Sequence, residues 1–258
     1  MRTALQWFGT GLARFLSRET HIHGTAPPTR PERLLATLRP GDVLLVEGNS
    51  RLSAGVKYLT QSTWSHAALF VGSRLAGRGG NPGHCFVDAD TVAGVRSIGT
   101  DAFAHLHSRI CRPIGLTEEE CRRVTTFAIA RIGSLYDLRN VVDLARYLLP
   151  TPPVPQRFRR SMLALGSGDP TRAICSTLIA QAFQSIRYPI LVSTDLHNAD
   201  RPDCPGCVDE IHRARHHSLI TPRDFDVSPY FEVVKPTIVN GFDFRRMTWG
   251  DVAGASVR

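Results

Sequence analysis

Acyl transfer by a thiol needs a thiolate, a base to take its proton, and a group that orients the base. Six cysteines and ten histidines are available for the first two roles. Cys175 is the best placed of the thiols. It falls in the first turn of a segment in which Ile174, Leu178, Ile179, Ala182, Phe183 and Ile186 recur at helical spacing, after Asp169 and Pro170. Unpaired N–H groups and the dipole at a helix start favour a thiolate and offer donors to a developing oxyanion. Cys121 reads as a mid-helix residue among apolar neighbours and has neither advantage. A free cysteine is commonly only a small buried hydrophobe, so Cys175 needs identifiable partners.

The partners come from two short strands. Residues 67–72 and 85–89 have strand character, separated by a stretch containing Gly77, Gly79, Gly80 and Gly83. His66 stands at the entry of the first strand, after Trp64 and Ser65. If the strands form a hairpin centred on Gly77, positions summing to 154 lie opposite one another and His66 faces Asp88. Asp88 would then hold the imidazole in the tautomer whose free nitrogen accepts the thiol proton. Asp90 is the alternative.

The remaining elements supply the scaffold. Pro40-Gly41-Asp42 is a turn before a buried strand at 43–46, residues 51–61 can form a helix, and 230–234 can form a last strand. Helical periodicity runs over 118–132, opened by Thr117 with Glu120 at capping-box spacing. A further helix is expected at 140–149, ended by the prolines between 150 and 155. The composite is α+β, an antiparallel sheet with helices packed against it.

Taken in order, these segments resemble a family. Gly41-Asp42-Val43-Leu44, Gly48-Asn49-Ser50, Trp64-Ser65-His66-Ala67-Ala68-Leu69, Val87-Asp88-Ala89, Gly94-Val95, Tyr136-Asp137 and Ile174-Cys175-Ser176-Thr177-Leu178 look like the YiiX/YebB-like branch of NlpC/P60 cysteine hydrolases. The resemblance covers roughly residues 38–235. It implies a circularly permuted papain-like fold in which the histidine, matching His66, precedes the cysteine, matching Cys175. The family's third member is usually a glutamate, where this chain has Asp88, one methylene shorter.

The chemistry implied is cysteine-dependent hydrolysis or acyl transfer on an amide, ester or thioester, with an acyl-containing small molecule, lipid or peptide as substrate. The Cys175 N–H would donate to the oxyanion. Asn49, Ser50 and Tyr136 are the candidates to line the substrate site. No cofactor is required. The alternative is a non-catalytic papain-like scaffold that binds a membrane or a partner.

A second signal is Cys204-Pro-Gly-Cys207 followed by His212, His216 and His217, within a polar stretch at 195–217 that reads as an inserted loop. Cys204, Cys207, His212 and His216 have the donor types of a structural zinc site, although the spacing is shorter than in the usual finger.

Composition bounds these readings. The 258 residues, 42% hydrophobic and 21% charged, suffice for one sizeable core. The net charge is +8, but the cations are almost all arginine, with Lys57 and Lys235 the lysines, and no basic run is interleaved with aromatics. Nucleic acid is therefore not an expected partner. Leu5, Phe8, Leu12, Phe15 and Leu16 form the apolar face of an amphipathic helix at residues 4–16, fit to pack on protein or to touch a membrane surface. The expected organisation is an N-terminal helix and Pro-rich linker (1–30), a catalytic domain (31–240) and a C-terminal tail (241–258). Cysteines embedded in apolar segments, and no apolar run long enough for a signal peptide near the start, lead us to expect a cytoplasmic protein.

Overall fold

The computed structural model describes residues 28–75, 81–90, 93–134, 174–198, 208–239, 241 and 243–246. The expected helices at 4–16 and 140–149, the Pro-rich linker up to residue 27 and most of the C-terminal tail lie outside these residues. In chain order the elements are α1 (Pro31–Thr37), β1 (Val43–Val46), α2 (Arg51–Thr60), β2 (His66–Phe70), β3 (His84–Asp90), β4 (Gly94–Gly99), β5 (Ser108–Pro113), α3 (Glu118–Ile129), α4 (Ile174–Gln184), β6 (Val192–Asn198), β7 (Val208–Ala214), α5 (Pro222–Asp226), β8 (Phe231–Val234) and α6 (Pro236–Val239). Six strands form one antiparallel sheet in the order β4-β3-β2-β1-β5-β8. The expected α+β architecture is thus present.

The central strand explains why its sequence is an unbroken apolar run. Val43 and Leu45 face one core, with Val124 and Ala128 of α3 and Leu178, Ile179, Ala182 and Phe183 of α4. Leu44 and Val46 face a second core, with Leu34 and Leu38 from α1 and its C-terminal end, and Phe103. A strand covered on both sides has no polar face to alternate with. The expected capping box is also present: Thr117 Oγ1 accepts from the Glu120 N–H at 3.2 Å, and Glu120 accepts from the Thr117 N–H at 2.9 Å.

Two expectations need correction. The β2–β3 ladder pairs Leu69 with Val87 and Phe70 with Phe86, so paired positions sum to 156, not 154. The segment at 195–217 is not simply a loop, because β6 and β7 pair along their whole length as a separate antiparallel hairpin, Val192 opposite Ala214 and Asn198 opposite Val208. The polar sequence misleads because Ser193, Thr194, His212, Arg213 and Ala214 are exposed, so no buried side marks them as strand residues.

The turn before β1 is fixed by charge. Asp42, 1% exposed, accepts a fork from Arg112 on β5, with Nε 2.9 Å from Oδ1 and the second nitrogen 2.7 Å from Oδ2, and also the Arg39 N–H at 2.8 Å. Arg112 donates as well to the Thr37 carbonyl at 2.8 Å, tying α1 to the sheet. Burial pushes the Asp42 carboxyl above its ordinary range, although Arg112 pulls the other way. Removing the cation from such a pair strands a buried charge. Arg112→Ala is expected to cost about 3–5 kcal/mol in denaturant unfolding at neutral pH. The loss should shrink as the pH falls, because protonating Asp42 relieves the stranded charge. An equal loss at neutral and acid pH would contradict this account.

Candidate active site

His66 opens β2, and the residues before it are held on both sides. The Ser65 N–H donates to the Val46 carbonyl at 3.1 Å, and Ser65 Oγ accepts the Gly48 N–H at 2.9 Å. Trp64 is buried, donates from Nε1 to Asp226 at 3.0 Å, and lies under the Arg109 guanidinium, 4.9 Å from the ring centre. The imidazole that follows is therefore well placed. Its Nε2 is 3.0 Å from Asp88 Oδ2, and its ring tilts against Phe103 with centroids 6.3 Å apart.

Asp88 reaches His66 by a different route from the one expected. With the observed register it falls opposite Ala68, so it is a diagonal neighbour of His66 on the same face, a distance that side chains span. Asp90 instead accepts from the Ala93 N–H at 2.7 Å, in the turn between β3 and β4. Asp88 is 1% exposed, whereas the His66 side chain is 26% exposed, so the carboxylate is the buried member of the pair.

Cys175 is the second residue of α4 and is buried. This helix packs against β2 and β3, which brings the thiol into hydrogen-bond contact with the His66 ring. Ser176 anchors the same turn by donating from Oγ to the Ile220 carbonyl at 2.7 Å. Burial opposes charge on His66, but the Cys175 anion and the Asp88 carboxylate outweigh it and raise the imidazole pKa to about 10. Asp88 also resists burial: hydrogen bonds and charge from His66 and then Arg96 hold its carboxyl below the usual range.

Arg96 is the participant that sequence reasoning missed. It lies opposite Asp88 in the β3–β4 ladder and donates from Nε to Oδ1 at 3.0 Å and from a terminal nitrogen to Oδ2 at 3.4 Å. The signal was available. Gly94, at φ +73°, closes a tight turn, and a hairpin through it pairs positions summing to 184.

The other candidates fare differently. Ser50 caps α2, accepting the Ser53 N–H at 3.1 Å, and Asn49 is half-buried beside it. Tyr136, Cys204 and Cys207 lie outside the described residues. His212 Nδ1 is 3.0 Å from Thr194 Oγ1, and His216 Nδ1 is 2.8 Å from Ser218 Oγ. Among the described residues no group of three or more His, Cys, Asp or Glu is arranged to hold a metal. Cys121 sits in the first turns of α3 rather than mid-helix, and its thiol donates to the Pro40 carbonyl at 2.7 Å. An open cleft of about 560 Å³ lies beside Trp64, with Glu47, Lys57, His107, Arg109 and Asp226 on its walls. Most of its charges pair with one another, Lys57 and His107 with Glu47 at 3.5 and 3.3 Å and Arg109 with Asp226 at 2.6 Å, while Arg223 donates to the Thr60 carbonyl at 3.1 Å.

No protein-family model matches the chain. It is 25% identical over 173 residues to the "Probable lipoprotein peptidase YaeF" of Escherichia coli (strain K12), in an alignment covering 60% of this chain and 59% of YaeF. The chain thus spans about three-fifths of that relative's length. The crystal structure of metalloprotein YiiX from Escherichia coli O157:H7 superposes with a TM-score of 0.44 at 14% identity, over 76% of this chain and 96% of YiiX. The sequence match to YaeF supports the YiiX-like family that the motifs suggested.

The charge state of His66 is directly measurable. Histidine NMR titration should find it cationic at neutral pH with a midpoint near 10, and Cys175→Ala and Asp88→Asn should each lower that midpoint. A base raised in the folded state stabilises fully below its unfolded value and loses that contribution as the pH climbs. Because the unfolded Cys175 thiol keeps its own proton up to about pH 8.5, unfolding stability should therefore decline chiefly between about pH 8.5 and 10. A midpoint near 6.5 in the native chain would refute the pairing.

Proposed function

We propose that this YiiX-like chain is a cysteine-dependent hydrolase or acyltransferase with a permuted papain-like site. The observation that carries the reading is one imidazole in contact with both a buried thiol at a helix start and a buried carboxylate. In this mechanism Cys175 Sγ attacks the carbonyl carbon of an amide, ester or thioester, and the developing oxyanion accepts from the Cys175 N–H. The new bond is S–C. As the C–N, C–O or C–S bond to the leaving group breaks, His66 gives that group its proton. Water, or another acceptor, then gives a proton to His66 and attacks the thioester, releasing Sγ. Asp88 keeps the ring oriented through Nε2, which leaves Nδ1 for the thiol and the leaving group.

The name carried by YaeF favours a peptide or lipoprotein amide as the bond attacked. The Cys204 to His217 segment has no part in these steps. Cys204→Ser is accordingly expected to leave Cys175 alkylation unchanged, and metal analysis of the reductively purified chain tests the zinc reading separately.

An activity screen with amide, ester and thioester probes tests the proposal, paired with iodoacetamide labelling at pH 7. Cys175 should react about tenfold or more faster than Cys121, whose thiol is held above its ordinary pKa mainly by burial. His66→Ala should lower turnover by about 10²–10⁴-fold, and Asp88→Asn should fall between it and the native chain. Equal labelling of the two cysteines with no effect of His66→Ala would leave a scaffold that binds a membrane or partner without catalysis.

A further inference from the structure

We propose that Arg96 is a positioning residue for the Cys175–His66 pair, acting through Asp88 to hold the carboxylate ionised and aligned with the imidazole. The proposal rests on the reading of Cys175 and His66 as a reactive pair. Both carboxylate oxygens are engaged by the one guanidinium, Oδ1 at 3.0 Å and Oδ2 at 3.4 Å, and Oδ2 is the oxygen that meets His66 at 3.0 Å. Rotation of the carboxylate would break three hydrogen bonds, so the His66 ring has a fixed acceptor.

The need for a second cation follows from the reaction cycle. An ionised carboxylate at 1% exposure is costly unless it is paired. His66 pairs it only while protonated. Once the proton has gone to the leaving group, the ring is neutral and Asp88 would face it alone. Arg96 keeps its charge throughout, because guanidinium does not lose its proton in water at any ordinary pH. Asp88 therefore stays an acceptor when His66 must take a proton back from water.

The charged and titratable groups around Asp88 and His66 bound the electrostatic consequence. They are Cys175 on α4, Arg96 on β4 and Asp90 on β3, the last 3.7 Å from Arg96. The short helical turn Thr100–Phe103 presents the Phe103 ring to His66, while its Asp101 lies toward Cys85. Arg96 is the nearby permanent cation of this set. Its charge favours an anion and opposes a cation at the pair. At 43% exposure the effect is moderated by solvent.

The test uses the full chain with Arg96→Gln and Arg96→Lys, reading the pH profile of Cys175 alkylation by iodoacetamide with circular dichroism as a check on folding. In Arg96→Gln the inflections of the profile should shift by about half a pH unit, the scale expected for one partly screened charge. In Arg96→Lys the inflections should stay near their native positions, while the plateau rate falls several-fold because an ammonium cannot reproduce the fork. Unmoved inflections in Arg96→Gln, with only a lower melting temperature, would overturn the proposal and make Arg96 a cross-strand structural pair. If Arg96→Gln does not fold, Arg96→Lys decides: a native plateau rate overturns the proposal, and a reduced rate with native inflections supports it. Absence of excess Cys175 reactivity in the unsubstituted chain overturns the reactive-pair reading itself, an outcome separate from unmoved inflections in a reactive one.

Discussion

Covering the middle of the sheet on both faces leaves no place in it for an unpaired charge, and the polar architecture of this protein follows from that constraint. Asp42 and Asp88 are each 1% exposed, and each is gripped by an arginine from the neighbouring part of the sheet. Glu47, 6% exposed, takes Lys57 and His107 where β1 ends. The two arginine pairs differ in one respect that decides their use. Asp42 spends its oxygens on Arg112 and the Arg39 N–H and fastens a turn. Asp88 has one oxygen shared with a histidine, and that histidine touches a thiol.

Placement of the thiol depends on the same packing. The apolar side of α4 is committed to the core through Leu178, Ile179, Ala182 and Phe183, and Ser176 fastens its first turn to Ile220. With those residues fixed, the helix start is directed at the His66 end of β2. The β2–β3 pairing is confined to Leu69 and Phe70 with Val87 and Phe86, so the His66 end of the strand lies beyond the ladder. Polar chemistry is accommodated where the β2–β3 ladder runs out, between residues that β1 and β4 still hold in the sheet.

Much of this was legible in the sequence, and the failures have physical reasons. The apolar run at Val43–Val46, the Thr117 capping box and the helical period around Cys175 are local signals, and each marks a real element. His66 and Asp88 were paired from an assumed turn centre, and the pair is bonded although the register differs by two positions. A shift of two keeps both side chains on their original face, whereas a shift of one would have separated them. Arg96 escaped because Gly94-Val95 was read as a motif fragment and not as the opening of β4. The β6–β7 hairpin escaped because its sequence is polar and carries no apolar alternation.

Gly41 closes a turn at φ +96°, and a side chain there would begin 3.0 Å from Cys121 Sγ, which already donates to the Pro40 carbonyl. The thiol is thus a latch pin for the Pro40–Gly41 corner. A reagent that derivatises Cys121, a half-buried thiol, has to break its hydrogen bond to that corner. Its labelling rate therefore reflects how firmly that corner is held as well as the raised pKa of the thiol. The protein carries two built-in reporters, one reading the reactivity of its site and the other the local opening of its frame.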